Sequence, residues 1–223
     1  MQENHKRLKE NYKSYFLIAG LGLVMGAITR LIDVFPYHSL WSFSSMAVDY
    51  GFWMITSTII IYFSSSNKNA AINVFLYLFT MNFSFYYLEY VLQHYTKFYQ
   101  NLLNDPDLVI SSRFNWNLLI WFDALALLCG AISYVLYFWN KSNKTSNALY
   151  AFPICGLVTE TVFMIERLYS NHINLFPVIL NSVGIGALGC LFYKKANNKI
   201  IYMATVIIGS LLGTISCILY YSV

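Results

Sequence analysis

Asp33, Asp49, Glu89, Asp123, Glu160 and Glu166 stand inside long apolar runs or at their ends, and no other side chains in this sequence offer as much chemistry. By insertion scales an Asp near the centre of a membrane helix costs about 2.5–3.5 kcal/mol, which is tolerated where the group faces a bundle interior or a water-filled cavity. Helical spacing sorts these acids with other polar and aromatic residues. Asn82, Tyr86, Glu89 and Gln93 recur at i, i+4, i+7 and i+11 and form one polar stripe. Asp49, Trp53, Thr56 and Ser57 share one side of their run, and Glu160 and Arg167, seven residues apart, stack on one face. A cavity lined by such stripes sets six carboxylates against Arg30 and Arg167, so it is acidic. Trp53, Trp121, Tyr86, Tyr87 and Tyr90 fall at similar depth and make it aromatic. Carboxylates beside aromatic faces attract organic cations, each cation–π contact adding about 0.5–2 kcal/mol. The expected ligand-binding set is Asp49, Trp53, Tyr86, Glu89, Trp121, Asp123, Glu160 and Arg167. The expected function is binding or transport of a small cationic or polar solute.

Other readings use some of the same residues. His38, His94 and His172, close in depth to Asp33, Glu89 and Glu166, could hold a zinc that activates water in an intramembrane hydrolase. The spacing opposes this, because the three come from separate links with no HExxH pattern and no Gly-x-Ser-x-Gly elbow is present. Glu160 with Glu166-Arg167 is similar to the acidic motif of CAAX-type membrane proteases, but that family's adjacent Glu pair and downstream His are absent. The last apolar run has no Lys for a retinal Schiff base. The balance is against an enzyme, no catalytic or metal-ligand set is assigned, and no cofactor is specified. A third reading is a non-catalytic subunit, either a solute-binding component driven by a partner protein or an immunity or assembly factor. Cys129, Cys155, Cys190 and Cys217 lack CxxC spacing and read as core filling.

The elements that must position these groups are membrane helices. Of 223 residues 58% are hydrophobic and only 11% charged. Apolar runs cover 15–35, 46–63, 70–95, 114–139, 148–169, 175–193 and 200–221. A span needs about 20 residues, so the chain reads as one all-α, polytopic membrane domain of seven transmembrane helices. The basic start, Lys6 to Lys13, reads as the flank of a retained first helix.

Lys68, Lys141, Lys144, Lys194, Lys195 and Lys199 fall in alternate links on the side of that basic N-terminus, and ten of the fourteen cations lie there. By the positive-inside rule this side is cytoplasmic, which puts the C-terminus and the acids toward the outside. The net charge of +4 is then a signal of topology and gives no case for nucleic acid. The expected partners are the lipid bilayer and a small-molecule solute, with a protein partner or a second copy left open.

Trp41, Asp49, Tyr62, Ser66 and Glu89 are echoed by Trp116, Asp123, Tyr137, Ser142 and Glu166, at shifts of 74 to 77 residues, which suggests parallel helical-hairpin repeats. Gly22-x3-Gly26, Gly209-x3-Gly213 and the trio Gly184, Gly186 and Gly189 read as close helix contacts, and Pro153 and Pro177 as kinks. Arg30 with Asp33 and Glu166 with Arg167 equally read as ion pairs that orient helices. Trp41, Trp116 and Tyr169 read as interfacial anchors.

The run Leu40 to Ser45, Gly51-Phe-Trp53, Ser64 to Ala71, Tyr86-Tyr87 and the Glu160 helix resembles an uncharacterised family of small bacterial multi-pass membrane proteins. The resemblance covers most of the chain, implies a bacterial cytoplasmic membrane and carries no activity with it.

Overall fold

Helix starts and breaks follow the polar residues between the apolar runs. In this computed structural model residues 8–33, 35, 39–47, 49–94, 114–140 and 144–221 are described. Helix α1 is Tyr12–Ile32, α2 Tyr50–Phe63, α3 Asn67–His94, α4 Trp116–Leu136, α5 Lys144–Asn171, α6 Leu175–Lys195 and α7 Lys199–Tyr221. Two 3-10 turns, Phe43–Ala47 and Tyr137–Asn140, precede α2 and follow α4. Among the described residues six helices are long and apolar enough to cross a membrane, and α2, with 14 residues, is shorter. The chain thus has the build of an all-α, multi-pass membrane protein. Side chains such as Leu17, Val24, Leu128 and Leu212 are more than half exposed, as lipid-facing positions are.

The run at 46–63 differs most from expectation. Its first residues form the 3-10 turn and a short link, and α-helix begins only at Tyr50. Helix α5 conversely starts at Lys144, earlier than the apolar run, because Ser146 and Asn147 are buried and Asn147 Oδ1 accepts the Asn198 N–H at 3.2 Å. The expected outer link around 96–113, including Lys97 and Arg113, lies outside the described residues, as do Pro36, His38 and Lys141.

The chain divides into two compact units. Met1–Pro36 with Ile60–Val135 forms one, and Tyr37–Ile59 with Leu136–Val223 the other.

In the first unit α1 lies directly on α3. Asn11 caps α1, its side chain accepting the Ser14 N–H at 2.9 Å. Gly22 and Gly26 then bring the two backbones together. A Cβ at Gly22 would meet Met81 N at 3.2 Å, and one at Gly26 would meet the Met81 carbonyl carbon and Ser84 Cβ, each at 2.9 Å. Ser84 fastens the contact by donating to Leu23 O at 2.7 Å. Gly130 seats α4 on α3 in the same way, since a Cβ there would lie 3.1 Å from Ala71 O. At the start of α3 Asn69 and Asn73 are fully buried, Asn69 accepting the Ser65 N–H at 3.0 Å and Asn73 donating to Ser64 Oγ at 3.0 Å.

In the second unit α5 is the central strut. A Cβ at Gly209 of α7 would lie 2.6 Å from Cys155 Sγ, and one at Gly213 3.3 Å from Thr159 Cβ, so both glycines make room for α5. Helix α2 fits over α5 and α6, since a Cβ at Gly156 would lie 2.6 Å from Met54 Sδ and one at Gly184 2.8 Å from Ile55 Cγ1. Gly186 and Gly189, expected to serve as contacts too, have nothing within 4 Å of an added Cβ. Pro153 sits inside an unbroken α5, and Pro177 in the first turn of α6, where its missing N–H costs nothing. Trp139, Tyr150 and Phe192 close the far end, ring centroids 5.1–5.7 Å apart.

A backbone clip fixes the approach to α2. Leu175 N–H donates to Leu40 O at 3.0 Å, Phe176 N–H to Trp41 O at 3.2 Å, and Asn174 N–H to Ser42 Oγ at 3.0 Å. The orphan N–H groups at the start of α6 are thereby satisfied by the preceding link. Three non-glycine residues with positive φ, Ser42 (45°), His172 (55°) and Asn174 (73°), lie at this clip, so the crossing is bought with local backbone strain.

Candidate functional site

The residues expected to line one cavity fall into two groups, one in each unit. Tyr86, Glu89 and Asp123 belong to the first unit, and Asp49, Trp53, Glu160 and Arg167 to the second. Trp121, also in the first unit, is 70% exposed and joins neither group.

In the first unit the polar stripe of α3 is largely answered by its neighbours. Asn82 Nδ2 donates to Asp123 Oδ1 at 3.1 Å, joining α3 to α4. Arg30, at the end of α1, binds Asp33 Oδ2 through Nη1 at 2.5 Å and faces Glu89 Oε1 through Nη2 at 3.8 Å. Its guanidinium also lies over the Phe85 ring, 5.2 Å from the centroid. Tyr86 is buried within the fields of Glu89, Arg30, Asp123 and Asp33. Asp33 stands past the end of α1. Burial raises its carboxyl above the usual range, and Arg30 pulls it back. The side chain of Gln93, the last member of the stripe, lies outside the described residues.

The second group is built around the tripeptide that opens α2. Asp49, immediately before the helix, is only 6% exposed. Ser45, one turn back in the 3-10 segment, stands beside its carboxylate with its hydroxyl donating to Ser42 O at 2.7 Å, and Arg167 of α5 acts on it through its charge. Burial dominates over both and pushes the Asp49 carboxyl up to about 6. The next residue, Tyr50, donates its backbone N–H to the Glu160 carboxylate, so the positive end of α2 holds a carboxylate from α5. Glu160 lies in the fields of Asp49 and Arg167. Arg167 is stacked over Phe163, its guanidinium carbon 4.3 Å from the ring centroid. Trp53, half-buried, lies one turn beyond Asp49, while Thr56 turns its hydroxyl back to Phe52 O at 2.9 Å. Glu166 is exposed and stands apart from this group.

Sequence reasoning missed Asn181. It is 1% exposed on α6, and a Cβ at Gly51 would lie 2.6 Å from its Nδ2, so the amide occupies the space the glycine leaves open. Neither Oδ1 nor Nδ2 has a hydrogen-bond partner among the described residues, and the same holds for Asp49 Oδ2. One buried Asn within an apolar run, together with a Gly directly after Asp49-Tyr50, was the available signal.

As for metal, His38 and the side chain of His94 lie outside the described residues. Among the described residues no three His, Cys, Asp or Glu side chains are grouped to hold a metal ion. The cysteines are free among the described residues, and Cys190 is exposed instead of filling a core.

No protein-family model, curated protein or solved structure matches this chain. The class defined by the fold is a helical, multi-pass membrane-type protein, and it carries one group of charged residues in each unit.

Proposed function

We propose that the protein binds or transports a small cationic or polar solute, and that the group formed by Asp49, Glu160 and Arg167 receives it. The observation that carries this reading is a buried excess of carboxylate. Two acids share one arginine at the start of α2, and Asp49 is almost wholly enclosed. A fixed negative excess in a low-dielectric setting is costly unless a cation neutralises it. In the first unit Glu89 has Arg30, and Asp123 has the Asn82 amide, so the need there is smaller.

The same reading includes seven spans with α2 the shortest, an N-terminus on the cytoplasmic side and a C-terminus outside. The membrane is a bacterial cytoplasmic membrane, in keeping with the alternating lysines. The solute then enters from the outer side, where the start of α2 lies.

The test is the melting temperature of the detergent-purified protein against a panel of organic cations and polar solutes, with Glu160→Gln and Glu89→Gln alongside. A solute-specific rise of several degrees in wild type and Glu89→Gln, lost in Glu160→Gln, supports the reading. A flat response in wild type, with Glu160→Gln equally or more stable, refutes it and makes Glu160 a structural acid.

A further inference from the structure

The tripeptide Asp49-Tyr50-Gly51 touches three other parts of the second unit in three consecutive residues. Asp49 meets Ser45 and the charge of Arg167, the Tyr50 N–H holds Glu160, and Gly51 admits the side chain of Asn181. At this point the chain concentrates oxygen donors that it leaves unused. Asp49 Oδ2 and both polar atoms of Asn181 are buried with no hydrogen-bond partner among the described residues. A buried amide with neither donor nor acceptor engaged is a net cost, and an apolar side chain of the same size would pack there without it. Gly51 increases that burial, since any larger residue would collide with the amide and drive it out.

We infer that Asp49 Oδ2, Asn181 Oδ1 and the Glu160 carboxylate form an oxygen-donor site for one compact monovalent cation, either an alkali ion or the ammonium head of a small amine. The inference rests on the solute reading above and narrows its chemistry. Carboxylate and amide oxygens are hard donors that replace the water shell of a small cation, or accept the N–H groups of an ammonium. A bulky quaternary ammonium has neither property and depends on exposed aromatic faces. Of the aromatic rings near this group, that of Phe163 is already covered by the Arg167 guanidinium. A single positive charge also balances the site, because Asp49 and Glu160 together with Arg167 carry one net negative charge when both acids are ionised.

The experiment measures the melting temperature of the full chain in detergent at fixed ionic strength, with the chloride of sodium, potassium, ammonium, methylammonium or choline as the only variable salt. Asp49→Asn, Asn181→Leu and Glu89→Gln are measured beside wild type. Asn181→Leu removes the idle amide and is expected to fold at least as well as wild type, so loss of response there is not loss of structure. The expected result is a rise of several degrees in one or more small cations over choline, absent in Asp49→Asn and Asn181→Leu and retained in Glu89→Gln. Whether alkali or ammonium salts give the rise identifies which of the two cations the site takes. Equal melting temperatures in all five salts, or a response that survives in Asn181→Leu, overturns the inference. If the solute panel still stabilises wild type through Glu160 while these salts do not, the cation site fails and the broader reading stands.

Discussion

Substituting Gly26 by Ala tests whether α1 is held on α3 by backbone contact, and whether that contact sets the Arg30 group. The new Cβ would sit 2.9 Å from both the Met81 carbonyl carbon and Ser84 Cβ, with the Met81 oxygen nearer still. Carbon atoms pack at roughly 3.5–4.0 Å, so α1 must move outward by about 1 Å, because the opposing atoms are helix backbone. Overpacking of this kind costs about 1–3 kcal/mol, offset in part by the roughly 1 kcal/mol that Ala gains over Gly in a helix. The net expectation is a loss of up to about 2 kcal/mol, measured by unfolding in detergent. Gly20→Ala is the control, since nothing lies within 4 Å of its added Cβ. It should be neutral or slightly stabilising. A second readout follows from the geometry, because Arg30 lies one turn beyond Gly26 and its Nη2 is already 3.8 Å from Glu89. Moving α1 away should abolish the coupling between Arg30 and Glu89 in a double-mutant cycle. Equal stability of Gly26→Ala and Gly20→Ala, with the coupling unchanged, would refute the reasoning.

Three further predictions concern the charged groups. Because burial raises the Asp49 carboxyl from 3.8 to about 6, the folded state binds more protons than the unfolded between those values. Stability should be greatest below about pH 4, fall by up to roughly 3 kcal/mol as pH rises to 6, and then level, with that component absent in Asp49→Asn. Arg167→Gln leaves Asp49 and Glu160 without their shared cation and should cost about 2 kcal/mol at pH 8, most of it recovered by adding Glu160→Gln; an additive double mutant would contradict the shared-cation assignment. Asn82→Leu strips Asp123 of its 3.1 Å hydrogen bond and should cost about 1–3 kcal/mol, whereas Asp123→Asn, which keeps an acceptor for Asn82, should cost less in the same unfolding assay.

The helices were legible because a membrane helix must be apolar over its whole length, and each of the six long ones coincides with an apolar run. The start of α2 was not, because Trp41, Phe43 and Met46 are as apolar as a span, although their backbone is tied up in a turn and in the clip to α6. The charged members of the site were visible because an acid among apolar residues is expensive. What composition could not show is which acids share a cation. Glu89 lies opposite Arg30 from α1, and Glu160 opposite the N–H of Tyr50, and both pairings depend on how the helices pack. Trp121 was expected at the depth of the acids, but it lies on an exposed face of α4. Asn181 has no periodic partner and no charge, so only its packing against Gly51 reveals it.

On the proposed seven-span reading, the shortness of α2 makes bilayer thickness a variable for this protein. Fourteen helical residues rise about 21 Å, and the hydrocarbon core is about 30 Å thick, so some 9 Å is left to the turn and the clip. Those segments carry non-helical backbone, which lipid tails do not tolerate against them. On that reading the membrane thins at the N-terminal end of α2, or water reaches in to meet it, and both bring Asp49 within reach of ions without any gate having to open. Reconstitution in lipids of increasing acyl-chain length should accordingly weaken whatever the site binds well before it unfolds the helices.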